Sequence, residues 1–139
     1  MKRLALAVLL ALSTTTAHAL PLPTAARPAA TPIGLWQNPK GTLLVRTRVC
    51  GQELCGNIVW ASGQALADAK DAGVNALVGT ELLSGYHPSG TNRWTGQVYV
   101  PDQGRRFYST IQLENSDSLR ISGCILGGLI CKHQEWARR

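Results

Sequence analysis

Alternation of apolar and polar residues along short segments is the feature that most constrains how this chain folds. In a strand, every second side chain lies on the same face, so alternation over four to eight residues is typical of a half-buried strand. About eight such segments follow one another between Gly34 and Arg138, separated by turn residues such as Asn38–Gly41 and Gly127-Gly128. The pattern predicts an antiparallel β domain in which each strand turns one face to a shared interior.

Individual segments carry more specific expectations. In Leu54–Trp60 the alternation puts Ile58 and Trp60 on one face, and in Trp94–Val100 it groups Trp94 with Gly96, Val98 and Val100. Thr80–Leu83 predicts only a weak short strand. The Ala-rich segment Ser62–Asp71, with charges at helical spacing and Gly73 behind it, predicts one short surface helix.

Many short strands with tight turns and one helix fit either a sandwich or an up-and-down barrel. Consecutive strands here are joined locally, and closure of a sheet into a barrel removes exposed strand edges. We therefore expect a mainly all-β fold, a small antiparallel up-and-down β-barrel of about eight strands.

The N-terminus predicts an export signal. Lys2 and Arg3 precede the apolar run Leu4–Leu12, and Ala17-His18-Ala19 forms a small-x-small cleavage site. The run is much shorter than the roughly 20 residues that a membrane-spanning helix needs, so a membrane anchor is the weaker alternative. We expect a signal peptide at 1–19, a Pro/Ala-rich leader at 20–32, a single domain at 33–139, and a periplasmic or secreted location.

Composition argues against nucleic acid as a partner. The formal net charge is +6, and two of the cations, Lys2 and Arg3, would leave with the signal peptide. A basic balance can mark a nucleic-acid binder, but here the remaining Lys and Arg alternate with apolar residues along strands. We read them as solvated outer faces.

Four cysteines in an exported chain predict disulfides, and four cysteines allow three connectivities. Across the Gly127-Gly128 turn Cys124 faces Cys131, and Cys50 and Cys55 close a tight hairpin. We therefore predict Cys50–Cys55 and Cys124–Cys131. A zinc site is the alternative, but these spacings do not match the paired ligands of zinc ribbons. We expect no metal and no cofactor.

Blocks of residues along nearly the whole chain also resemble a known family, domain of unknown function family 2147, whose members are small exported bacterial proteins. The family has no established activity, so the resemblance implies a fold and little about function. Val100 departs from the pattern, since an acidic residue is expected before Pro101. The blocks are Gly34-x-Trp36-x-Asn38-Pro39, Cys50…Leu54-Cys55-Gly56-x-Ile58-Val59-Trp60, Trp94-x-Gly96-x-Val98-Tyr99-x-Pro101-x-x-Gly104 and Gly123-Cys124…Cys131-x-x-Gln134-x-Trp136-x-Arg138.

A second similarity is to the lipocalin-like barrels, which begin with Gly-x-Trp and bring an arginine from the last strand across the indole. Gly34-x-Trp36 and Arg138 occupy those two ends of this chain, with Arg139 as an alternative partner. The similarity implies a cation–π contact that closes the barrel, a structural pair rather than a binding site.

The last strand carries the candidate binding residues. If Cys131 projects outward, then Lys132 and Gln134 project inward, where a fully packed core would not place them. We predict that Lys132 and Gln134, with Trp60 and Trp94, line a cavity for a small apolar or amphipathic ligand. The alternative is that Lys132 extends to the rim and Gln134 satisfies a strand end.

Other functions have less support. His87 falls in a predicted turn and His133 on an outer face, without a nucleophile motif beside either, so we expect no enzyme, with a periplasmic hydrolase as the remaining enzymatic possibility. Asp68 and Asp71 would share a solvated helix face. Another alternative is an envelope interaction or structural module that docks through outer faces bearing Tyr99, Tyr108 and arginines.

Overall fold

A computed structural model describes residues 30–139. In it, eight antiparallel strands form a closed up-and-down barrel in which each strand pairs with its neighbour in sequence and the first strand meets the last. The predicted fold class is confirmed. The predicted signal peptide and the first part of the leader, 20–29, lie outside the described residues.

The strands are short, and most connections between them are tight turns. One α-helix bridges the third and fourth strands, and short 3₁₀ turns lie between the fifth and sixth and between the seventh and eighth. The elements are β1 Gly34–Gln37, β2 Leu43–Cys50, β3 Glu53–Ala61, α1 Gly63–Asp71, β4 Glu81–Gly90, β5 Arg93–Val100, η1 Pro101–Gln103, β6 Arg105–Leu113, β7 Ser118–Ile125, η2 Leu126–Gly128 and β8 Ile130–Arg138.

Strand β4 differs most from its prediction. It continues to Gly90, so His87 lies within a strand and not within a turn. The sequence predicts that His87 and Pro88 lie together in a turn. The structure instead accommodates them in the strand, with irregularities in the pairing with β5 between Ser84 and His87 and again after Pro88.

The helix forms where its sequence predicts. Ser62 is the N-cap, and its hydroxyl accepts a hydrogen bond from the Ala65 amide at 3.2 Å. Ala69 is the buried residue of the helix, while Asp68 is exposed and accepts from the Gln64 amide at 2.7 Å. No helix within residues 30–139 is long and apolar enough to cross a membrane.

The closed end of the barrel, where β1 begins and β8 ends, is built around Trp36. The Arg138 guanidinium lies 4.2 Å from the centre of the Trp36 ring and donates to the Ile33 carbonyl at 2.8 Å. Gly34 gives it room, because a Cβ there would overlap Arg138 Nη1. The Trp36 indole donates to the Pro32 carbonyl at 2.9 Å, so the end of the predicted leader is fixed to the barrel.

The opposite end, the open end, carries the β1–β2 turn, α1, η1 and η2. β1 is so short that it pairs with β8 only through Trp36–Arg138 and Gln37–Ala137. The first half of β8, Ile130–Glu135, therefore has no strand partner toward β1 in the described part of the chain. We call the gap between this half-strand and the β1–β2 turn the seam.

The cysteines lie in two pairs at disulfide distance, as the sequence predicts. The Cα atoms of Cys50 and Cys55 are 5.9 Å apart, and those of Cys124 and Cys131 are 4.1 Å apart. Each pair closes one hairpin, the first at the closed end of the barrel and the second at the open end. Cys124 and Cys131 are direct register partners of β7 and β8.

Candidate functional site: a cavity at the open end

A cavity of about 560 Å³ occupies the open half of the barrel. That volume lies within the roughly 300–1,000 Å³ typical of small-molecule sites. Most of the lining is apolar, and the polar residues lie mainly on the two sides of the seam. The lining residues are Asn38, Lys40, Thr42, Leu43, Leu82, Val98, Tyr99, Val100, Pro101, Gln103, Phe107, Ile121, Gly123, Ile125, Ile130, Lys132, Gln134 and Trp136.

The boundary between packed core and cavity is set by two glycines on either side of Ser109. Gly96 on β5 and Gly123 on β7 are both register partners of Ser109 on β6. The space over Gly96 is filled by the Tyr86 ring, since a Cβ there would lie 2.6 Å from Tyr86 Cγ. Over Gly123, the nearest atom to such a Cβ is Val98 Cγ1 at 3.5 Å, so this space belongs to the cavity.

The β1–β2 turn is held rigidly, and it positions one side of the seam. Asn38 Oδ1 accepts from the backbone amides of Thr42 and Leu43 at 2.8 and 2.9 Å, and Asn38 Nδ2 donates to the Thr42 hydroxyl at 2.9 Å. These bonds fix the loop that carries Lys40. The Lys40 side chain therefore has a fixed base at the mouth of the cavity.

The other side of the seam is β8, which contributes Lys132 and Gln134. Gln134 Oε1 accepts a hydrogen bond from the Trp136 indole at 3.1 Å, so this amide is oriented by a buried ring. Lys132 is exposed at the mouth, as is Lys40. Both charged residues of the lining are thus cations, and the ion pairs found among residues 30–139 involve neither of them.

Two buried hydroxyls lie beside the glycines at the boundary between core and cavity, Tyr86 over Gly96 and Ser109 between Gly96 and Gly123, and neither residue lines the cavity. Tyr86 Oη and Ser109 Oγ are both buried, and neither has a hydrogen-bond partner of good geometry among the described residues. Burial raises the pKa of the Tyr86 phenol well above its usual range, an effect that the neighbouring Ser109 hydroxyl only partly offsets. Tyr86 is therefore a neutral hydroxyl at any physiological pH.

The two predicted tryptophans do not line this cavity. A residue is added to β3 at Val59, where the register passes from Val45–Ile58 to Leu44–Trp60, and this bulge reverses the alternation. Trp60 consequently points outward and is 44% exposed. Trp94 does face inward, but it begins β5 at the closed end and packs partly buried against the core.

Several lining residues were not anticipated from the sequence. Alternation along β6 and β8 is consistent with inward faces for Phe107 and Trp136, yet nothing in their spacing shows whether an inward side chain meets a packed core or empty space. Lys40 lies in a turn, and which turn meets the mouth depends on strand length. The only signal in the sequence is the pair Gly96 and Gly123, two small residues on inward faces.

Titratable groups elsewhere are dispersed. His87 Nδ1 lies 3.4 Å from Glu53 Oε1, with both side chains largely exposed. His133 is exposed on β8 opposite Ser122. Within residues 30–139 no group of three His, Cys, Asp or Glu side chains is close enough to hold a metal ion.

Comparison with known proteins places the chain in a family. The family model described as "Uncharacterized protein conserved in bacteria (DUF2147)" matches residues 34–138. The chain belongs to this family. No curated protein matches the sequence of this DUF2147 member.

A solved structure with the same architecture is protein HP1028 from the human pathogen Helicobacter pylori, which is described as belonging to the lipocalin family. It superposes on this DUF2147 chain with a TM-score of 0.62 at 15% sequence identity, covering 80% of this chain and 84% of HP1028. At that identity the likeness establishes a lipocalin-like fold. It does not transfer a ligand.

Proposed function

We propose that this protein is a non-enzymatic binder of a small amphipathic molecule, held in the open half of the barrel. The observation that carries the proposal is a preformed apolar cavity of about 560 Å³ whose charged lining residues are Lys40 and Lys132. Such a cavity, with a few convergent polar groups, is typical of a small-molecule site.

The lining favours a particular class of ligand. Leu43, Phe107 and Ile121 belong to the apolar wall, which suits a hydrocarbon or aromatic body. At the mouth, two cations face a seam without a lining carboxylate, which suits an anionic head such as a carboxylate, sulfonate or phosphate. We infer that the ligand enters body first and leaves its anionic group between the two lysines.

Filling the cavity provides the first test. Gly123 lines the cavity and has no positive φ, and a Cβ there would make only an ordinary contact with Val98 Cγ1 at 3.5 Å, so Gly123→Leu should fold and project its side chain into the cavity. We expect the fluorescent anionic probe 1-anilinonaphthalene-8-sulfonate to bind the wild type, and its affinity to fall at least about tenfold in Gly123→Leu. Gly123→Ala is the matched control. Equal affinity of the probe for wild type and Gly123→Leu would show that the probe does not bind in this cavity.

The role of the lysines is tested with two ligands of one length. We expect a long-chain carboxylic acid to bind more tightly than the corresponding alcohol, and the Lys40→Gln/Lys132→Gln variant to lose about tenfold in affinity for the acid alone. Lys70→Gln, an exposed lysine on α1, is the control. If the double variant binds the acid and the alcohol more weakly by the same factor, the lysines maintain the cavity but do not recognise the negative charge of the ligand.

We also propose that the mature protein acts outside the cytoplasm. The two cysteine pairs at disulfide distance support this location, because disulfides persist in oxidising compartments. An intact mass of protein purified from the cell envelope should show loss of residues 1–19 and of four thiol hydrogens. A mass that retains Met1 would contradict export by a cleaved signal.

A further inference from the structure

The turn between β7 and β8 ends in four exposed apolar side chains, which we call the lip. Ile125 is 47% exposed, Leu126 67%, Leu129 84% and Ile130 53%. Single exposed apolar residues are ordinary, but a contiguous apolar group marks an interaction surface. Ile125 and Ile130 also line the cavity, so the lip is continuous with the cavity wall.

The backbone conformation at the tip of the lip is one that an apolar residue such as leucine disfavours. Leu126 has a φ of 52°, in the left-handed region that glycine and asparagine adopt readily and leucine does not. A turn chosen only for its geometry would have a small or polar residue at this position. The leucine side chain at the tip therefore has a role other than forming the turn.

Charge in the hairpin turns on either side of the lip is predominantly positive, whereas α1 and the start of β4, on the far side of the open end, carry Asp68, Asp71 and Glu81 beside Lys70. The three hairpin turns at the open end, with the strand residues next to them, carry the cations Lys40, Arg105, Arg106 and Lys132. Asp102 in η1 is the acidic residue of the same turns. An apolar tip with cations beside it complements a bilayer that has acyl chains below an anionic headgroup layer.

The Cys124–Cys131 pair supports this use of the lip. It joins the two strands directly below the four apolar residues. A cross-link there limits the conformations of the free hairpin, so the hairpin loses less conformational entropy when it binds a surface.

We propose that the lip inserts into the surface of a bilayer containing anionic phospholipid, and so presents the mouth of the cavity to the lipid. The inference concerns a second surface and does not depend on what the cavity holds. Insertion is reversible and shallow, because four side chains at one hairpin tip make a small apolar area.

The test compares variants of the exported protein, all with the same N-terminus, by co-sedimentation with vesicles of phosphatidylethanolamine and phosphatidylglycerol. For Leu126→Asn/Leu129→Asn we expect binding about tenfold weaker or more, because two leucyl side chains leave the apolar phase. The control is Val49→Asn, at a residue 66% exposed near the closed end, and it should bind like wild type. Binding of wild type should weaken at high salt and on phosphatidylcholine vesicles.

Urea unfolding serves as the second readout. Because asparagine tolerates a positive φ, Leu126→Asn should be at least as stable as wild type, which separates lost binding from lost folding. Equal sedimentation of wild type and the lip variant, or no binding of wild type to anionic vesicles, would overturn the proposal. So would a wild-type dimer in sedimentation velocity that the lip variant converts to monomer, since the lip would then be a protein interface.

The two proposals fail separately. Gly123→Leu fills the cavity and leaves the lip intact, so it should lose the anionic probe and keep vesicle binding. The lip variant should keep the probe and lose vesicle binding. If the lip variant shows that the lip does not bind membranes, the proposal of ligand binding in the cavity is unaffected. Likewise, a failed cavity test leaves the membrane proposal unaffected.

Discussion

The division of the barrel into a packed half and a hollow half can be tested with one chemical change made at two places. Gly96→Ala and Gly123→Ala each add a single methyl group to an inward face, and both residues are register partners of Ser109. The expected effects are nevertheless opposite in sign, because the neighbours of the new methyl differ.

At Gly96 the added Cβ would lie 2.6 Å from Tyr86 Cγ and 2.8 Å from the Ser84 carbonyl oxygen. One of these atoms is backbone, so relief requires β4 to move. Overpacking of this kind costs about 1–3 kcal/mol. Replacement of a glycine lowers the entropy of the unfolded chain and returns about 0.4–1 kcal/mol. We expect Gly96→Ala to lower the free energy of unfolding by about 1–2 kcal/mol.

At Gly123 only the favourable contribution operates, since the new methyl meets Val98 Cγ1 at 3.5 Å, an ordinary contact. We expect Gly123→Ala to raise the free energy of unfolding by about 0.5 kcal/mol. Urea titrations followed by far-ultraviolet circular dichroism give both values, provided the m-value is unchanged. Equal effects of the two substitutions would refute the boundary between core and cavity.

Three further predictions concern the closed end, the buried hydroxyl and the lip disulfide. Arg138→Lys should lower the free energy of unfolding by about 2 kcal/mol in urea titrations, because lysine cannot stack on Trp36 and donate to several carbonyls together. An unchanged urea midpoint would show that the Trp36–Arg138 pair does not close the barrel. Tyr86→Phe should leave stability unchanged or raise it, since the lost hydroxyl has no partner of good geometry in the described part; a loss of more than about 1 kcal/mol would reveal a buried water bound to it. Cys124→Ala/Cys131→Ala should cost about 2.5 kcal/mol by loop entropy, measured by thermal unfolding, and a reductant should then shift the variant less than it shifts the wild type.

Much of the fold was readable from the sequence, because alternation and turns are local signals. Asn38–Gly41 and Gly127-Gly128 mark two turns of the open end, and the register of β7 with β8 follows from the second turn alone. Gly34, Trp36 and Arg138 come together as the similarity to lipocalin-like barrels implies. Closure of the barrel then pairs β1 with β8, which an open meander would leave as two exposed edges.

Two of the errors arose where a residue disturbs the alternation along its strand, whereas Trp94 keeps its inward face and only lies too near the closed end. The extra residue at Val59 turns Trp60 to the outside, and no property of valine announces a bulge at that position. In β4, Pro88 reads as a strand breaker, yet strand pairing with β5 continues around it. Such errors are confined to one strand each, because the neighbouring ladders restore the register.

The cavity itself could be anticipated only in part. Alternation puts Lys132 and Gln134 on an inward face, but whether that face meets side chains or empty space depends on partners from other strands. Tyr86 decides this for one side of Ser109, and it reaches its position through a strand that the sequence barely predicts. The shape of the cavity therefore depends on contacts between strands, which the sequence of a single strand does not specify.

The short first strand has a consequence for what the barrel can admit. From Ile130 to Glu135, β8 is attached along β7 alone in the described part of the chain, so an outward shift of this edge of the cavity wall would break no backbone hydrogen bond to β1. For the ligand class proposed above, we therefore expect a wider apolar body to be accepted with little loss of affinity, while Lys132 on this edge and Lys40 across the seam disfavour a cationic group. On this proposal, affinity depends more on the charge of the ligand than on the width of its apolar body.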